Sequence, residues 1–137
     1  MADRLLLLAH SGGFDRLHQL SSCAAAATTQ GQAVDIVYFF GALSALLEGR
    51  LDEMRLEPRD EAREAHLQAR VVEHQMRPPS ANLQAAAATG LLRSFACSAS
   101  LALAGGEPER AAAVVDEIIG WPTVIRLMGT AGHVLYI

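Results

Sequence analysis

Two cysteines, Cys23 and Cys97, and five histidines are the residues of this 137-residue chain best suited to nucleophilic or proton-transfer chemistry. Cys97 has the more telling surroundings. Residues 91–96 (Leu-Leu-Arg-Ser-Phe-Ala) read as a short strand. Residues 98–104 read as a helix, closed by Gly105-Gly106, which suits a left-handed cap. Cys97 is thus expected in the strand-to-helix turn. There, unpaired N–H groups and the partial positive charge of a first helical turn favour an anion. A thiol in that field gains thiolate, the form that reacts. Ser98 and Ser100 would add hydroxyl donors or cap the helix. A free cysteine is also often a small buried hydrophobe, and position alone leaves both readings open.

The elements that must position Cys97 follow from periodicity. Residues 4–9 form a short apolar run, as in a strand covered on both faces. His10-Ser11-Gly12-Gly13 is a loop. A helix should follow from Phe14 or Asp15 to about Gln30, with Asp15 as N-cap, an inward stripe of Leu17, Leu20, Ala24 and Ala27, and Gly31 as its end. Residues 33–40 are a second strand, and Gly41 turns the chain into a short helix over 42–47. Pro58 to Met76 reads as an exposed helix with a narrow stripe at Ala62, Ala65, Ala69, Val72 and Met76. Pro78-Pro79 stops it, and Ser80 caps a helix over 81–88. Residues 114–119 and 133–137 are the last strands, separated by a helix that starts at Pro122.

Strand alternating with helix predicts an α/β fold: a three-layer α/β/α sandwich of flavodoxin-like layering around a mostly parallel five-stranded sheet. One domain should span residues 1–137, with a charged helical insertion at about 48–79. Residues 48–77 hold 14 of the 26 charged side chains. Chain direction gathers His10-Ser11-Gly12-Gly13, Phe40-Gly41, Cys97-Ser98 and Gly120-Trp121-Pro122 on the carboxyl edge of the sheet, where such folds bind ligands. His10 would serve as a proton carrier or electrostatic partner, or merely hydrogen-bond its loop. Ser11 and Gly12 would cradle an oxyanion or simply make a tight turn. Trp121 would line a pocket or, more in keeping with its type, a subunit interface. Cys23, beside the inward stripe, reads as a core thiol rather than a resolving cysteine.

Other chemistries are excluded. A net charge of −4 gives no general attraction to nucleic acid or anionic membrane. No apolar run approaches membrane-spanning length, and the run at 5–9 is too short for a signal peptide. Cysteines 74 positions apart form neither a metal pair nor a disulfide framework, so no metal or cofactor is expected and a reducing cytoplasm is. His66 and His74 lie two turns apart, too far to share one metal unaided. All 11 basic residues are arginine, so a phosphate loop ending in Gly-Lys is ruled out. No arginine follows Cys97 closely enough for a phosphatase or rhodanese loop.

At Ala96-Cys97-Ser98-Ala99-Ser100 the chain resembles the DsrE/DsrF-like family, which includes the TusD-type sulfur-relay proteins. The resemblance extends over most of the chain: the first strand, loop and alanine-rich helix, the Tyr38-Phe39-Phe40-Gly41 strand end, and the closing strand-loop-helix-strand. It implies a parallel α/β/α sandwich, homo-oligomers that are often trimers or hexamers, and a cysteine, here Cys97, that carries sulfur as a persulfide. The partners would be sulfur donor and acceptor proteins or small persulfides. The charged segment at 48–77 is longer than the corresponding link in compact relay subunits. Two other classes remain open on the residues alone. One is a non-catalytic oligomeric module binding a small molecule or nucleotide, and the other a redox protein cycling Cys97 through sulfenic acid.

Overall fold

The computed structural model describes residues 3–137. Its first strand, β1 (Leu5–Ala9), is buried on both faces as its five apolar side chains require. On one side β1 pairs in parallel with β2 (Val34–Tyr38), which pairs with β3 (Leu92–Cys97), which pairs with the short β4 (Glu117–Ile119). On the other side β1 pairs with β5 (His133–Tyr136). The five strands are all parallel, in the order β4-β3-β2-β1-β5. The expected three-layer α/β/α architecture is what the chain adopts.

The two faces are covered unequally. Right-handed crossovers that step from β1 to β4 in one direction place their helices on the same face. That face carries α1 (Phe14–Thr29), α2 (Phe40–Leu47), α4 (Pro79–Ala88), α5 (Ser98–Leu103) and α6 (Pro108–Ala112). Leu17, Leu20, Leu43, Ala86, Leu101 and Ala111 pack there on Leu5, Leu7, Ile36 and Ala96. Only the return from β4 to β5 crosses the other face, through α7 (Trp121–Thr130). Beneath α7 lies a second core of Leu6, Leu8, Val37, Phe39, Phe95, Cys97, Ile119 and Val124.

Several local expectations are corrected. Gly13, not Asp15, is the N-cap of α1, and Asp15 sits inside the first turn, where its charge still complements the helix dipole. The turn out of β2 is made at Phe40, at φ 32°, rather than at Gly41, and α2 starts there instead of at residue 42. Gly41 is committed elsewhere: a Cβ there would lie 2.9 Å from the Gly12 nitrogen. The expected helix over 58–76 divides into a 3-10 turn (Pro58–Arg63) and α3 (Glu64–Glu73). Its alanine stripe is exposed; the half-buried residues of α3 are Glu64, Leu67 and Val71. Pro78, not Ser80, caps α4, while the Ser80 amide donates to the Asp52 carboxylate at 2.8 Å. The strand expected from 114 begins only at Glu117, because Val114 and Val115 close the turn of α6.

At the amino end of the α7 face, beyond the reach of α7, a charged cluster takes over. Asp35 on β2 is 1% exposed and accepts from Arg4 Nη1 at 2.9 Å and from Arg93 Nε and Nη2 at 2.8 Å each. The hydrogen bond to Asp35 holds the Arg93 guanidinium above its usual range. Its carbon also lies 5.5 Å from the centre of the Phe95 ring.

Candidate functional site

The carboxyl ends of β1, β2 and β3 bring His10, Phe40-Gly41 and Cys97-Ser98 to one edge, and Gly120-Trp121 follows β4. Cys97 is both the last residue of β3 and the N-cap of α5, at φ −70° and ψ 122°. Its alternation along β3 decides where the thiol goes. Arg93, Phe95 and Cys97 share the α7 face, so the side chain turns away from α5 and into the second core. Cys97 is 1% exposed. The expected turn position is there; the solvent access that a reactive thiol needs is closed by the packing under α7.

Ser98 is exposed and lies beside the start of α7: a Cβ on Gly120 would sit 3.7 Å from its hydroxyl. Ser100 is fully buried, and among the described residues its hydroxyl has no hydrogen-bond partner. It does not cap α5. Trp121 opens α7 with its ring 5.2 Å from that of Phe39, one side against the second core and the other exposed.

The remaining edge residues form a separate group. His10 is exposed, its ring 5.7 Å from Phe40 and 6.1 Å from Tyr136. With β2 between β1 and β3, two strand spacings, roughly 10 Å, separate its backbone from that of Cys97. His10 is therefore a neighbour of Tyr136, not a proton partner of the thiol. Ser11 and Gly12 do not make an open anion cradle either. The Ser11 hydroxyl donates to Glu57 at 2.8 Å and accepts from the Gly13 amide at 3.2 Å, while the Phe14 amide donates to the Arg55 carbonyl at 2.7 Å. The charged insertion thus occupies the amino end of α1. Gly12 and Gly41 press together, since a Cβ on Gly12 would lie 2.6 Å from the Gly41 oxygen. Both glycines serve loop packing.

Cys23 lies half-buried on α1, and burial pushes its thiol up from the ordinary range. It faces a groove of about 770 Å3 between α1 and α3, shared with His18, Leu67, Val71, His74 and Met76. The alanine stripe read from the sequence pointed to the wrong side of α3; the i, i+4 pair Leu67–Val71 is the signal that marks this groove. Among the described residues no cluster of three or more His, Cys, Asp or Glu is placed to hold a metal. No described helix is long and apolar enough to cross a membrane.

No family model matches the chain, and no curated protein does. Its architecture is similar to that of a solved structure, the protein of unknown function MTH1491 from Methanobacterium thermoautotrophicum. The two are 13% identical, with a TM-score of 0.56 over 99% of this chain and 100% of that one. At that identity the likeness is one of fold.

Proposed function

We propose that this chain is a sulfur carrier of the DsrE/DsrF-like kind, working in the cytoplasm, with Cys97 as the residue that holds the sulfur. The observation behind this reading is the position of Cys97, the N-cap residue at the carboxyl edge of a parallel sheet, beside the start of α7. In the forward step the Cys97 thiolate attacks the sulfane sulfur of a donor persulfide. The donor's S–S bond breaks, its thiolate leaves, and Cys97 becomes a persulfide. An acceptor thiolate then attacks the outer sulfur, and Cys97 leaves as thiolate. The two steps balance without an outside oxidant or reductant.

Because Cys97 is closed in the resting fold, the reading requires an opening step. The first turn of α7 is the part to move, since Trp121 bears on Phe39 and Val124 belongs to the same core as the thiol. Alkylation mapped by mass spectrometry tests this. Cys97 should label in native protein, and faster in Trp121→Ala, which loosens that turn. Cys23, its thiol raised by burial, should label faster as pH rises above the ordinary thiol range. Cys97 labelling no faster than global unfolding would overturn the carrier reading.

A second reading has its own observation, the 1% exposure of Cys97. There the thiol is core packing, and the chain is a non-catalytic oligomeric binding module. Both readings include self-association. We assign it to α7 and β5, because, Tyr136 aside, five of the eleven large exposed hydrophobic residues among the described residues, Trp121, Ile125, Met128, Val134 and Leu135, fall there.

A further inference from the structure

The winding of the sheet reverses beside β1. From β1 the chain steps through β2 and β3 to β4, then returns across the opposite face to β5. The ends of β1 and β5 stay joined at the carboxyl edge, where the His10 amide donates to the Ile137 carbonyl at 2.9 Å. In open α/β sheets ligands bind at this edge. Beside the junction is a cavity of about 490 Å3, lined by His10, Ser11, Arg16, Glu57, Arg59 and Tyr136 among others. That volume falls within the range of roughly 300–1,000 Å3 common to small-molecule sites.

The lining specifies a ligand chemistry. Glu57 already accepts from Ser11. Arg16 and Arg59 line the cavity from different elements, α1 and the 3-10 turn, and neither pairs with a described acid. Two free guanidinium forks offer planar donor pairs to a tetrahedral dianion. Beside them stands an aromatic surface. His10 and Tyr136 stack at an interplanar angle of 27°, and Tyr136 is 65% exposed. Phe40, its ring 5.7 Å from that of His10, is held at φ 32°, a left-handed conformation that is unfavourable for a bulky residue.

We propose that this crevice is a binding site for a phosphomonoester of a planar ring, the nucleoside monophosphate class, with Arg16 and Arg59 on the phosphate and the Tyr136–His10 stack against the ring. The site is separate from Cys97 and does not depend on sulfur transfer. Calorimetric titration of the full chain with adenosine 5′-monophosphate, phenyl phosphate and inorganic phosphate tests it. The two ring phosphates should bind saturably and more tightly than inorganic phosphate. Arg16→Gln and Arg59→Gln should each weaken binding about tenfold, the scale of one charge-assisted fork. Tyr136→Ala should narrow the gap between ring phosphates and inorganic phosphate, and Cys97→Ser should leave every affinity unchanged. Both arginines are exposed, so the variants are expected to fold, which circular dichroism checks. Absent binding, or binding equal in the double arginine variant, overturns the site. Equal affinity for all three ligands overturns the ring half of the assignment.

Discussion

Ser100 shows at the scale of one residue how a buried hydroxyl is judged. It lies in the first turn of α5 with no partner among the described residues, so its desolvation is not offset by a hydrogen bond. Ser100→Ala is therefore expected to leave the thermal midpoint unchanged or raise it. A loss above about 1 kcal/mol would mean that the hydroxyl has a partner in solution. Cys97 and Ser98, adjacent in sequence, have opposite fates for a related reason. Alternation along β3 sends the thiol into the second core, whereas Ser98, the first residue of α5, emerges beside Gly120. The strand-to-helix turn was legible from Gly105-Gly106 and the short strand-like stretch before Cys97. The burial of the thiol was not, because it depends on α7, a segment more than twenty positions further along.

Elements show the same division between local and distant causes. β1 declared itself through an unbroken apolar run, β2 through its Val, Ile and aromatic residues and α1 through helical spacing, since each is decided by its own side chains. The charged insertion did not. An alanine stripe is equally compatible with several faces, and the choice on α3 went to Leu67 and Val71 because these larger side chains can reach toward α1 across the groove. Asp35 is the other element-scale surprise, a carboxylate in a central strand. It is tolerated because Arg93, its register partner on β3, and Arg4, just before β1, both reach its carboxylate. The arginines are partly exposed and can fall back on water; Asp35 cannot. The Arg4→Ala/Arg93→Ala double variant, which strands a buried carboxylate, should lose about 3–5 kcal/mol in urea unfolding. Asp35→Asn should lose less. The reverse order would show that the carboxylate is hydrated.

For the whole molecule the main asymmetry is that five helices guard one face and a single ten-residue helix the other. Parallel sheets are ordinarily buried on both sides, so the thinly covered face is the one to expect in contacts between copies. Trp121, Ile125 and Met128 recur at i, i+4 and i+7 on the outside of α7, and Val134 continues the apolar surface onto the edge strand β5. Ile125→Glu is expected to shift sedimentation toward the monomer without changing the circular dichroism spectrum. An unaltered oligomer, or a wild-type protein already monomeric at micromolar concentration, would remove this face from assembly. Self-association there would also bear on Cys97, since α7 is both its cover and the proposed contact.

The central claim is that Cys97 accepts sulfur, and intact mass after incubation with a small persulfide donor reads it most directly. Wild type should gain the mass of one sulfur atom, removable by a thiol acceptor, and Cys97→Ser should gain none. Equal gain in the variant, or no gain in wild type, would contradict the account and leave Cys97 as a packed core residue.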